Sequence, residues 1–420
     1  MRRALRSCAL LMVLAAAART ADPDANELFR KTREIVLDNA RRLPRYMCVE
    51  TVQRAQYAPA FSPTNCQSLI AAQRLAPKRG PAVERDRLRL DVAVDENGEI
   101  FSWAGARRFE TSDVDKLVGT GAAGSGEFGS FLASVFGGAP DKIQYLGLRG
   151  GLGSFDYNVP LARSRYQFRT TGPGKIIAYR GSFQADPAGG DLKQLVVETE
   201  DFTQSDRVCR VTHTMNYQRA KIGDGDFLLP EVSVMEGLYS DGSIALNETH
   251  YSACRQYVGE STISFGDAAP VAGTEAARAA SQPLPAGVRL SVGLSTAIDT
   301  ATAAAGDRVE GILLRDARSA KGVVAHAKDR IYGRILRLES VMNVPPRWYI
   351  TLRFDTIVRS GIEQPVKLVP LDDGVRNAPR IRIRVLAGEG DIPEGSGRFI
   401  FAGPADFVLD QKFHSEWETR

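Results

Sequence analysis

Gly266–Pro285, GDAAPVAGTEAARAASQPLP, breaks the apolar patterning of the chain and puts small residues, Pro and Gly in its place. Such a composition reads as a linker. It divides the 420 residues into two β-rich halves, 22–265 and 286–420, each long enough to bury its own core. On this reading neither half needs the other in order to fold.

Upstream of the linker, Glu27–Arg42 has the spacing of an amphipathic helix, with Pro44 as its stop, and Tyr46–Ala55 reads as a strand. From Arg87 the chain alternates strictly, with Leu88, Leu90, Val92 and Val94 on one face. Asn97-Gly98 then turns it into a return strand through Ile100, Phe101 and Trp103, a hairpin with one buried face. Asp113–Val118 predicts a short helical turn and Glu127–Phe136 a short apolar helix. Seven further strands are expected, at Tyr157–Val159, Tyr166–Thr170, Lys175–Tyr179, Gln194–Glu200, Val208–Tyr217, Glu231–Tyr239 and Glu248–Tyr257. Together they make a strongly curved antiparallel sheet with helices on its concave side. Downstream, six strand candidates begin at Val288, Asp307, Arg330, Arg347, Val366 and Arg380, with hardly any helix signal. Closure into a small β-barrel or sandwich removes exposed edges. The fold class is mainly β, of the α+β kind.

The first residues bear on compartment. Arg2, Arg3 and Arg6 precede the apolar run Cys8–Ala18, which has the length of a signal-peptide core, so 1–18 is expected to be a cleaved signal. The run is too short to span a bilayer, and Cys8 lies ahead of the core, unlike a lipid-attachment cysteine. The expected location is the periplasm or the extracellular space, with no transmembrane helix after cleavage. Losing the three arginines takes the formal charge from +4 to +1, which argues against nucleic acid as a partner. Cys48, Cys66, Cys209 and Cys254 remain, an even number that suggests two disulfides. Cys48–Cys66 and Cys209–Cys254 are the favoured pairs, because each joins segments that look like neighbours along one meander.

No motif names a reaction. Gly119-Thr-Gly121-Ala-Ala-Gly124 satisfies a dinucleotide fingerprint in letters, but the flank Asp113–Val118 is not a strand, and a hinge beside Phe128–Phe136 or a plain disordered surface loop is the better reading. Cys209-x3-His213 and His250-x3-Cys254 have spacing that suits zinc on two paired strands, yet an exported chain favours oxidised cysteines, so no metal is expected. His213 and His250 are then half-exposed strand residues. Acidic groups such as Glu198, Glu200 and Asp201 fall where solvated carboxylates are ordinary. Arg380–Arg384 places three arginines on one strand face without interleaved aromatics, which favours a solvated face over a nucleic-acid stripe. No cofactor is expected.

Two resemblances attach to these segments. YMCVETVQR, LRLDVAV-DENGEIFSW and the closing YSACRQYVGESTISF resemble the incomplete β-barrel of lipoprotein carriers and of periplasmic lipoprotein-sensing regulators, and also exported proteins of acidobacterial-type soil bacteria. The carrier resemblance implies a concave apolar face that holds acyl chains. Pro285-Ala286-Gly287, Gly306-Asp307 and Gly333 match turns of the small β-domain in channel-forming and scaffold subunits of envelope-spanning secretion systems, while Ala327-Lys328-Asp329 departs from the Pro-Lys-Gly turn found there. That resemblance implies docking and no chemistry. The expected protein is a non-enzymatic envelope component that binds a lipid or acylated, lipoprotein-like partner beneath an apolar cover of Phe128, Phe131, Leu132, Val135 and Phe136, and docks to an envelope partner through its second half. A structural or adaptor module without a small ligand is the alternative, and an exported hydrolase ranks below both.

Overall fold

The structure is a computed structural model that describes residues 24–62, 65–95, 98–106, 108–118, 128–138, 143–169, 174–257, 282–342, 346–371, 384–386, 393–402 and 406–420. The expected signal segment 1–18, most of the expected linker, the glycine run 119–127 and the arginines at 380 and 382 lie outside these residues.

Helix α1 (Ala25–Arg42) begins where Asp24 accepts hydrogen bonds from the backbone N–H groups of Asn26 and Glu27, at 2.9 and 3.3 Å. That cap satisfies donors the first turn leaves open. Leu28, Thr32 and Val36 recur every four residues and form its buried stripe. There follow β1 (Tyr46–Tyr57), α2 (Cys66–Leu75), β2 (Ala82–Asp95), β3 (Gly98–Trp103), α3 (Asp115–Val118), α4 (Ser130–Phe136), β4 (Ile143–Arg149), β5 (Leu152–Val159), the short pair β6 (Gln167–Phe168) and β7 (Lys175–Ile176), β8 (Tyr179–Ala185), β9 (Leu192–Thr199), β10 (Val208–Ile222), β11 (Gly225–Tyr239) and β12 (Ile244–Gln256). Ten of these strands form an antiparallel sheet in the order β4-β5-β8-β9-β10-β11-β12-β1-β2-β3. The chain therefore brings its last strand of this half, β12, back beside its first, β1.

That return corrects the cysteine pairing. Cys48 on β1 bonds Cys254 on β12, Cα atoms 4.1 Å apart, and Cys66 at the start of α2 bonds Cys209 on β10, Cα atoms 5.1 Å apart. The pairs Cys48–Cys66 and Cys209–Cys254 do not form. Neighbourhood along the chain is a poor guide here because β1 sits between β12 and β2, and α2 crosses to a strand that follows it by more than a hundred residues.

Helix α2 and strand β4 are not among the elements expected from the sequence. Asn65 and Ser68 cap α2 reciprocally, and Leu69 and Ile70 pack on Leu238 and Ile244. It lies on the opposite face of the sheet from α1 and α4, whose side chains share one core with Phe155, Phe183 and Leu195.

The second half comprises β13 (Arg289–Leu294), β14 (Ile298–Asp299), β15 (Arg308–Leu313), β16 (Ala317–Ser319), β17 (Gly322–Ala325), β18 (Arg330–Val341), β19 (Arg347–Arg359), β20 (Ile362–Pro365), β21 (Leu368–Pro370), β22 (Arg384–Leu386), β23 (Gly397–Ala402), β24 (Val408–Leu409) and β25 (His414–Thr419). Pairing runs β21-β25-β13-β15-β18-β19-β23-β22, with β20 on the far end of β19. Trp417 is fully buried at its centre, edge-on to Phe354 and Phe399, and its indole N–H donates to Ser415 Oγ at 2.8 Å.

β2 joins the two halves. Its later residues pair with β3, while Glu84, Arg85 and Asp86 pair with Val341, Ser340 and Glu339 of β18. Desolvation at this seam, and then the Glu339 carboxylate beside it, raise the Glu84 pKa. Arg89 donates its backbone N–H to Ala305 at 2.7 Å and its guanidinium to Asp307, and Arg334 reaches the carbonyls of Ala104, at 2.6 Å, and Gly306. Gly306 has φ +103°, and a Cβ there would stand 2.1 Å from the Arg89 carbonyl oxygen, so this close approach of backbones requires glycine.

Candidate functional site

The five residues of the expected apolar cover are all buried, at 7% exposure or less. Helix α4 presents Phe131, Leu132, Val135 and Phe136 on one side because Phe131/Val135 and Leu132/Phe136 are four apart, and the two rows lie next to each other on one broad apolar stripe. Phe136 stands edge-on to Phe183, and Phe155 stacks on Phe183 with ring centroids 4.7 Å apart. Phe131 meets Tyr166 and Tyr179 edge-on and tilts over His213. Phe128 falls outside this group: it packs between Tyr46 and Tyr251 in the neighbouring cluster under β1 and β2. The cover thus bridges two apolar clusters of one sheet face.

Its ties are mainly ring-to-ring. The N-cap residue Gly129 supplies no side-chain cap, Arg33 Nε of α1 donates to the Phe136 carbonyl at 2.9 Å, and the Ser134 hydroxyl donates back to the Ser130 carbonyl at 3.0 Å.

His213 corrects a second expectation. It is 1% exposed, facing inward with Val211, Met215 and Tyr217 on the period-2 row of β10. Tyr166 Oη lies 2.8 Å from its Nε2. Burial lowers its pKa to about 4, so the imidazole is neutral in ordinary buffers. Sequence reasoning did not single out Tyr166 or Tyr179, although the phase of His213 with Val211 and Met215 was visible. His250 is half-exposed and contacts Glu248 Oε1 at 2.8 Å. The two Cys-x3-His pairs do not assemble, since Cys209 and Cys254 belong to different disulfides and the two histidines differ in exposure. Among the described residues no group of three or more His, Cys, Asp or Glu side chains converges as metal ligands, and no helix is long and apolar enough to cross a membrane.

Glu198 and Glu200, two of the acids expected on solvated positions, are engaged by Arg74 and Arg180.

The chain matches no family model, and no curated protein is significantly similar to it.

Proposed function

We propose that the protein is a non-enzymatic, exported binding protein of the cell envelope that takes an acyl chain, of a lipid or an acylated partner, between α4 and the aromatic face of β5, β8 and β10. The observation that carries this reading is a seven-residue helix seated by ring contacts on an apolar sheet face rich in aromatic side chains.

Magnitudes restrict the ligand. Burial of the five cover side chains contributes roughly 10 kcal/mol at about 2 kcal/mol each. A saturated chain gains about 0.8 kcal/mol per buried methylene, so a chain of roughly a dozen methylenes or more offsets the loss of those contacts. Short fatty acids and small aromatics fall well below that. The second half, coupled to the first through β2 and β18, is suited to present the loaded face to an envelope partner, as its resemblance to secretion-system β-domains implies.

The test uses the protein purified from its own host, by native mass spectrometry with solvent extraction. A discrete lipid-sized adduct is expected. An environment-sensitive dye on Ala133→Cys, an exposed position of α4, should shift when a long-chain acyl probe is added, and Phe131→Asp with Val135→Asp should remove probe binding. Bare protein, together with a dye insensitive to every chain length, would instead support the adaptor reading.

A further inference from the structure

A second surface lies on the face of the sheet opposite α4. Beyond the end of α2, Pro77, Lys78 and Arg79 lean over the outward row of β10 and enclose, with β9 and β11, a cleft of about 600 Å³. Its floor is Thr212 and Thr214, which alternate along β10 with the inward-facing His213 and Met215. Strand register places Glu198 of β9 on one side of Thr212 and Glu236 of β11 on the other.

The two sides differ in charge. Glu198 is engaged by Arg74 and Arg180, each at 2.9 Å, so cations answer that wall and its carboxylate still presents acceptors. Around Glu236 the balance is positive: one carboxylate lies 2.8 Å from Arg79 and 3.5 Å from Arg210, with Lys78 on the same rim. Arg210 is itself 11% exposed, a cation largely withdrawn from water and sharing its carboxylate with Arg79. This end attracts an anion.

The frame is preorganised. The Gln73 side chain holds the Lys78 backbone from both sides, donating to its carbonyl at 2.6 Å and accepting from its N–H at 3.0 Å. Arg79 lies over the Tyr57 ring at 5.7 Å, and the Cys66–Cys209 bond fixes the far end of α2 to β10.

We propose that this cleft binds an anionic sugar, a hydroxyl-rich ring bearing a carboxylate or a phosphate. The volume suits one or two sugar rings. The acid group sits among Lys78, Arg79 and Arg210, the hydroxyls pair with Thr212, Thr214 and Glu198, and Pro77 and Val234 offer surface to the C–H faces of the ring. A neutral sugar leaves the cationic end unanswered, and a bare inorganic anion leaves the hydroxyl floor unused. The site is independent of the acyl-binding reading, because it lies on the other face.

Isothermal titration of the full chain, with both disulfides formed, decides it. The probes are glucuronate, glucose 6-phosphate, glucose and sulfate. At least one of the two anionic sugars should bind saturably, and at least about tenfold more tightly than glucose or sulfate. Whether the uronate or the phosphate is preferred identifies the acid group. Lys78→Ala with Arg79→Ala, both at exposed positions, should weaken that binding about tenfold or more while leaving the thermal midpoint near that of the parent, and Thr212→Val should weaken it several-fold. Absence of saturable binding by both anionic sugars, equal affinity for glucose or sulfate, or indifference to the double substitution would overturn the proposal.

Discussion

Burial takes His213 far from its ordinary chemistry. Its pKa near 4 in the folded protein compares with about 6.5 in an unfolded chain. Between those values the unfolded chain binds a proton that the fold excludes, so stability is complete above about pH 6.5 and falls as the pH drops toward 4, by about 3 kcal/mol from this group alone. Urea midpoints measured from pH 7.5 to 4 should show that decline, and His213→Leu should flatten it even though the variant leaves Tyr166 without this partner. A variant that keeps the full slope would assign the acid sensitivity elsewhere. The cover residues were legible because five large apolar side chains within nine positions have few destinations other than a core. Tyr166 was not, since it meets His213 across 47 residues of chain, and no local pattern encodes that contact.

At the level of elements, α2 shows how a short helix escapes periodicity. Ten residues with only Leu69, Ile70 and Gln73 buried give too little signal to separate a helix from a loop, and its capping box uses Ser68 where Glu or Gln is the familiar mark. What holds α2 is long-range: the bond from Cys66 to Cys209 and the salt bridges of Arg74 to Glu198 and Glu200. Replacing both cysteines by serine should lower stability by about 2–5 kcal/mol and make Cys66–Leu75 the earliest site of limited proteolysis. Peptide mapping without reduction should recover Cys48 joined to Cys254 and Cys66 joined to Cys209; a peptide joining Cys48 to Cys66 would contradict the strand order. The long strands of the sheet were legible for the opposite reason, since alternation over Leu88–Val94 or Val208–Tyr217 leaves one register that buries the apolar row.

For the molecule as a whole, both disulfides lie within the first half, so cohesion of the halves rests on non-covalent contacts at β2 and β18. The backbone pairing of Glu84–Asp86, the Arg89–Asp307 ion pair, the burial of Arg334 against two carbonyls and the close approach at Gly306 act together there. A protease site engineered between residues 258 and 281 and then cut should yield two fragments that co-elute in size exclusion. Asp307→Lys should separate them, because it sets a cation beside Arg89 in a partly buried place; free fragments from the parent protein would show that the seam contributes little. The amino-acid sequence alone determined the mainly β class, the positions of the long strands and the apolar character of the segment that covers the sheet, because alternation and composition are local properties of a chain. The cysteine partners, the burial of His213, the polar cleft under α2 and the joining of the halves through β2 arose only in the folded molecule, because each depends on which strands lie side by side, and that is set by packing between segments far apart along the chain.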